Sequence, residues 1–167
     1  MATVKMVLEP ADALFPTSNM PAPVVNQGTN FPVGGLAFDA STQETCFFNV
    51  SAQNYGSGNI TATIEWYADT ASSGGITFGC SLAAITPNTD TQDIETKAFA
   101  TENTASDTHL GTTGQRLHSF DVTISNLDSI AAGDSFALRL RRVPADGSDT
   151  MTGDAIVTRV ILSYSDT

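Results

Sequence analysis

The chain has 167 residues, of which 41% are apolar and only 15% charged, a length that suits one domain with a sizeable core. Seven Lys and Arg stand against eighteen Asp and Glu, for a formal net charge of −11 and a pI near 4.2. That field disfavours nucleic acid and anionic membranes as partners, and no apolar run reaches the roughly 18 residues of a spanning helix.

The opening "MATVKMVLEPADALF" has no basic stretch followed by an apolar core and a small-residue cleavage site. Synthesis in a cytoplasm, without a cleaved leader, is therefore the expectation. "TVKMVLE" predicts one strand. Five of the seven prolines (Pro10, Pro16, Pro21, Pro23 and Pro32) then fall within the first 32 residues. Proline fixes φ and donates no hydrogen bond, so this stretch cannot form a central strand or a useful helix. We therefore expect an extended arm over residues 1–34 and a β-sandwich over 35–167. Such an arm stays loose unless its own sheet or a neighbouring molecule pins it. Phe15, Val24, Val25 and Phe31 are its candidate contact residues.

From Gly35 onward the pattern has period two, the mark of strands with one buried face. "GGLAFDA" and "ETCFFNVSA" predict two strands. "NITATIEWYAD" places Ile60, Ala62, Ile64 and Trp66 on one face, and "ITFGCSL" does the same with Ile76, Phe78, Cys80 and Leu82. Residues 87–114 are threonine-rich and read as one long loop anchored by Ile94, Ala98 and Phe99; a loop of this length in a compact domain is usually functional or packed on a partner.

"HSFDVTIS" turns Phe120, Val122 and Ile124 inward. "SFALRLR" turns Phe136, Leu138 and Leu140 inward and projects Arg139 and Arg141 outward. The closing "AIVTRVILSY" offers Ile156, Val160, Leu162 and Tyr164 on one face, with Arg159 on a strand expected to form a hairpin with the previous one. Clusters such as "NYGSGN", "ADTASSGG" and "PADGSDTMTGD" supply turns. No helical period spans ten residues. Seven or eight strands joined this way predict an all-β fold, a two-sheet antiparallel sandwich of jelly-roll type.

Four of the seven cations lie in residues 135–164. Arg139, Arg141 and Arg159 are read either as a solvated sheet face or as a contact for an acidic neighbour, since Arg pairs carboxylates bidentately and tolerates partial burial. In a chain of net charge −11 that neighbour can be another copy.

Catalytic and metal patterns are weak. His109 and His118 share no zinc-like spacing with Cys46 and Cys80, which read as buried free thiols. No nucleophile elbow, HExxH or P-loop occurs. Asp146, Asp149 and Asp154 only faintly suggest a calcium loop, and a plain turn explains them. Trp66 and Tyr67 suggest a sugar-stacking platform, but Trp66 falls on the apolar face and reads as core. We expect no cofactor, no metal and no enzymatic activity.

The stretch "SIAAGDSFALRLRRVPADGSDTMTGDAIVTRVILSY", with "NITATIEWYADTASSGGITFGCSLAAI" and "QDIETKAFATE" upstream, resembles small β-sandwich virion proteins of tailed bacteriophages. The resemblance spans about residues 35–165. It implies a jelly roll acting in assembly: a trimeric decoration (cement) protein bridging subunits of the major capsid protein, made in the host cytoplasm and carried on the virion. The alternative is a host-recognition or carbohydrate-binding module of a tail fibre. Fold alone does not choose between them.

Overall fold

The computed structural model describes residues 3–71 and 73–167. Ten strands follow one another: β1 (Thr3–Leu8), β2 (Ala22–Gln27), β3 (Pro32–Phe38), β4 (Thr45–Ser51), β5 (Ile60–Ala68), β6 (Gly75–Ile85), β7 (Asn103–Thr108), β8 (His118–Ile124), β9 (Ser135–Arg142) and β10 (Ala155–Ser165). One 3-10 turn at Pro10–Asp12 is the only helical element among the described residues. Every strand pairing is antiparallel. A six-stranded sheet runs β2-β3-β10-β5-β8, with β1 also on β10, and a four-stranded sheet runs β4-β9-β6-β7.

The alternating apolar residues meet between the sheets. Ile60, Ala62, Ile64 and Trp66 of β5 and Ile76, Phe78, Cys80 and Leu82 of β6 are fully buried. Phe38 of one sheet meets Phe78 of the other edge to face, centroids 5.0 Å apart, a favoured aromatic geometry. The fold is thus the expected all-β, two-sheet antiparallel sandwich.

Of the arm expected over residues 1–34, the described residues from Thr3 onward do not stand apart from the sandwich. β1 pairs along β10 from Thr3↔Ser165 to Leu8↔Val160, and β2 forms a hairpin with β3 across residue 34. Between them the chain crosses to the four-stranded sheet: the Leu14 N–H donates to the Phe47 carbonyl (2.8 Å), the Phe47 N–H to that of Leu14 (2.9 Å), and the Thr45 N–H to that of Asn19 (2.9 Å). The prolines are accommodated because Pro23 lies on an edge strand and Pro32 opens one, the two places where a missing donor costs little. The boundary expected at residue 34 therefore falls inside β3.

Two further expectations are corrected. Part of the long loop, Asn103–Thr108, is the edge strand β7 on β6; its small polar alternation carries no apolar signal. In β10 the register slips between Val157 and Arg159, and the Thr158 hydroxyl donates to the Glu65 carbonyl at 3.2 Å. This bulge reverses the facing of everything before it, as an extra unpaired residue must. Val157 joins the core with Val160, Leu162 and Tyr164. Ile156 instead lies against Gly35, where an added Cβ would come within 2.4 Å of the Ile156 methyl.

Cys46 and Cys80 are free and fully buried, both paired in register with Leu140 on the intervening β9. Burial pushes the Cys46 thiol up to about 12 and raises that of Cys80 as well. A thiol reagent at neutral pH should label neither in the native protein and both after unfolding, since the thiolate is the reactive form. Rapid labelling of the folded chain would contradict this placement.

Candidate functional site

A groove of about 700 Å³ lies on the outer face of the six-stranded sheet. Its floor comes from alternation: Glu65 and Tyr67 are outward residues of β5, and Thr158 and Arg159 sit at the bulge of β10. One wall is the β2–β3 turn with Asn26, Phe31 and Val33; the other is the segment before β8, with Gln115 and Leu117. Gly28 permits the turn, because a Cβ there would meet the Phe31 carbonyl oxygen at 2.6 Å. That turn holds Phe31 out with 68% of its surface exposed, and Leu117 faces solvent at 59%.

The polar groups of the groove are held in place. The Asn26 Nδ2 donates to the Tyr67 hydroxyl at 2.7 Å, the Gln115 Nε2 to the Asp69 carbonyl at 2.7 Å, and Arg159 Nε lies 3.4 Å from Glu65 Oε2. A second depression of about 620 Å³ adjoins it, sharing Phe31, Val33, Thr158 and Arg159 and adding Val24 and Val25. An exposed ring flanked by fixed donors and acceptors suits a ligand with both apolar faces and hydroxyls. Among the described residues no group of three or more His, Cys, Asp or Glu could hold a metal ion.

The anticipated contact residues divide between two faces. Phe31 and Arg159 line the groove and the depression beside it, and Val24 and Val25 line the latter only. Arg139 and Arg141 lie on the opposite face, in a depression with Thr45 and Phe47, and Phe15 is 38% exposed in the crossing segment nearby. Arg159 does not join the other two arginines, because β9 and β10 belong to different sheets. Arg141 is met by Glu102, a residue sequence reasoning missed: Arg141 Nη2 donates to its Oε1 at 2.8 Å, while Arg139 Nη2 stays 3.9 Å from its Oε2. Glu102 packs where Gly79 of β6 has no side chain.

The remaining candidates are structural. Asp149 is bound to Arg142, Asp146 caps its own turn through the Ser148 N–H, and Asp154 is pushed up by burial and then by Asp39, so no calcium loop forms. Trp66 is core, and its indole N–H donates to Asp107 at 3.0 Å. His118 stacks on Trp66 at 4.5 Å and lies against His109 at 4.7 Å.

No protein-family model and no curated protein of similar sequence matches the chain. Among solved structures, a family 35 carbohydrate binding module from Clostridium thermocellum aligns at TM-score 0.51 and 12% identity, over 95% of this chain and 97% of that one. The chain is a jelly-roll β-sandwich. The carbohydrate-binding module TmCBM27, described for mannan recognition, aligns at 0.49 with 8% identity over 99% of both chains. The C-terminal CBM6 of LamC from Zobellia galactanivorans aligns at 0.47 with 11% identity, over 97% of this chain and all of that one. At these identities the likeness concerns the fold alone.

Proposed function

We propose that this chain is a non-catalytic carbohydrate-binding module whose ligand lies in the groove beside Phe31. The observation that carries the reading is an exposed phenyl ring on a pinned turn, facing Leu117 across fixed Asn26, Gln115, Glu65 and Arg159 side chains. Sugar rings present C–H faces to aromatic side chains and hydroxyls to such polar groups, and preformed geometry lowers the ordering cost of binding. The fold neighbour at TM-score 0.51 is itself a carbohydrate binding module. The capsid decoration role was to bridge subunits through the N-terminal segment and loops, and β1 and β2 of that segment pair within the chain's own sheet. In a phage tail appendage, the other setting implied by the sequence resemblance, the groove would face host-surface glycan.

Affinity electrophoresis against xylan, mannan and mixed-linkage β-glucan should show retardation by at least one of them. Phe31→Ala should weaken that binding about 10- to 150-fold, corresponding to loss of roughly 1.5–3 kcal/mol of ring burial. Retardation unchanged by Phe31→Ala would place the site elsewhere. No retardation in any of the three would count against the reading itself.

A further inference from the structure

The outer face of the four-stranded sheet carries complementary charge at its two ends. β4 and β9 run side by side from Thr45↔Arg141 through Phe47↔Arg139 and Asn49↔Ala137 to Ser51↔Ser135. At the first end Arg139 and Arg141 line a depression of about 390 Å³ that contains no carboxylate. Arg141 is saturated by Glu102, but Arg139 makes no hydrogen bond to any described residue. Its guanidinium rests on the Phe99 ring at 4.8 Å, its Nε is buried without a partner, and the nearest carboxylate oxygen is that of Glu102 at 3.9 Å. A cation left short of acceptors in a chain with eighteen acids is unusual, because buried polar groups are normally satisfied.

At the other end, over Ala137 and Ser135, the loop after β6 holds up Ile94, 70% exposed. Exposed Asp90, Asp93 and Glu95 surround it, and none of them lies in an ion pair with a described residue. Lys97, the loop's own cation, is turned to Asp128 at 3.0 Å, which fixes the loop on the sheet. Phe99 of this segment lies on Arg139, but the exposed carboxylates of Asp90, Asp93 and Glu95 pair with neither Arg139 nor Arg141 in their own chain.

The geometry points to a two-fold dimer of this chain, two such faces packed antiparallel so that each copy's Ile94 loop sits on the other's Arg139 depression. A two-fold axis between the Ile94 loop and the Arg139 depression satisfies both contacts at once, because in such an interface residue i meets j and j meets i. Exposed Leu14, Phe15 and Met20 flank the depression and supply the aromatic, Met and Arg character typical of contact surfaces. This dimer leaves the groove beside Phe31 free, so it stands or falls independently of glycan binding.

The test uses two variants of the full chain, Arg139→Glu and the doubly substituted loop Asp93→Arg with Glu95→Arg, in sedimentation equilibrium across a concentration series. Wild type should dimerise. Each variant alone should raise the dissociation constant at least about tenfold, the scale of one close charge pair. An equimolar mixture of the two should recover wild-type affinity as a heterodimer, since each chain then meets the opposite charge at both contacts. A wild-type monomer or trimer, variants that associate as wild type does, or a mixture that stays monomeric would overturn the proposal. Should Arg139→Glu fail to fold by circular dichroism, the loop variant decides alone: its residues are exposed, and undiminished dimerisation there overturns the proposal equally.

Discussion

Replacing Arg142 by Met should cost about 3–5 kcal/mol of folding free energy, the range for removing one partner of a buried ion pair. Arg142 is fully buried and uses all five of its N–H donors. Nε and Nη2 hold Asp149 at 3.0 and 2.8 Å, Nη1 donates to the carbonyls of Phe38 (3.2 Å) and Gly153 (2.9 Å), and Nη2 also donates to Met151 (2.9 Å). Asp149 in turn accepts the Thr77 N–H at 3.0 Å. One side chain thus ties the β9–β10 connection to the end of β3 and, through Asp149, to β6. Methionine would leave the buried Asp149 carboxylate with only the Thr77 N–H and take a donor from three carbonyls. Domains of this kind are stable by only about 5–15 kcal/mol, so the variant should melt roughly 6–20 °C below wild type. Arg142→Lys should also destabilise, because an ammonium cannot reproduce the fork. Urea unfolding measures the change, and a cost for Arg142→Met below about 1 kcal/mol, the worth of an ordinary hydrogen bond, would remove Arg142 from its central role.

The signal for Arg142 lies in the sequence, in its parity. In "LRLRR" the leucines and the outer arginines alternate, so two consecutive arginines force one of them inward, and an inward Arg demands a carboxylate such as that of the acidic turn that follows. Alternation identifies which face a residue takes, and on β9 it places Arg139 and Arg141 outward as found. It carries no information on which sheet a strand joins. The hairpin expected between β9 and β10 fails for that reason, and with it the grouping of Arg159 with Arg139. The bulge at Thr158 is equally silent, because a one-residue slip leaves composition unchanged while reversing Ile156. Proline counting misjudged β2: the rule against proline in strands applies to central strands, and β2 is an edge. The groove was legible only in pieces, since Phe31, Val25 and Arg159 come together through contacts between segments more than a hundred residues apart.

Lowering the pH through the histidine range should destabilise the protein and loosen the groove wall that carries Gln115 and Leu117. His118 is 4% exposed against the Trp66 ring. Burial lowers its pKa below the ordinary 6.5, and the neighbouring His109 and Arg116 lower it further, while Asp107, with Oδ2 3.9 Å from Nδ1, pulls the other way. A group whose folded pKa lies below its unfolded one leaves stability at its plateau above about 6.5 and withdraws it as pH falls through the folded value. The turn ahead of Gln115 is tied to His109, whose Nδ1 accepts the Gly111 N–H at 3.0 Å and whose Nε2 faces the Gly114 carbonyl at 2.9 Å, and His109 in turn lies against His118 at 4.7 Å. The carboxylates act elsewhere on the scale. Asp39, held down at about 2 chiefly by the Ser41 hydroxyl and N–H, withdraws stability only in strong acid, and Glu44 and Asp154, raised by burial, act with the opposite sign. Trp66 is the sole tryptophan, so its fluorescence reports the nest directly. Between about pH 7.5 and about pH 5 wild type should show a reversible fluorescence change and a falling Tm. His118→Phe, which keeps a ring on Trp66 without a titrating group, should flatten that slope. A wild-type Tm that stays level across this window, or a slope that survives in His118→Phe, would show that this imidazole does not govern the loop.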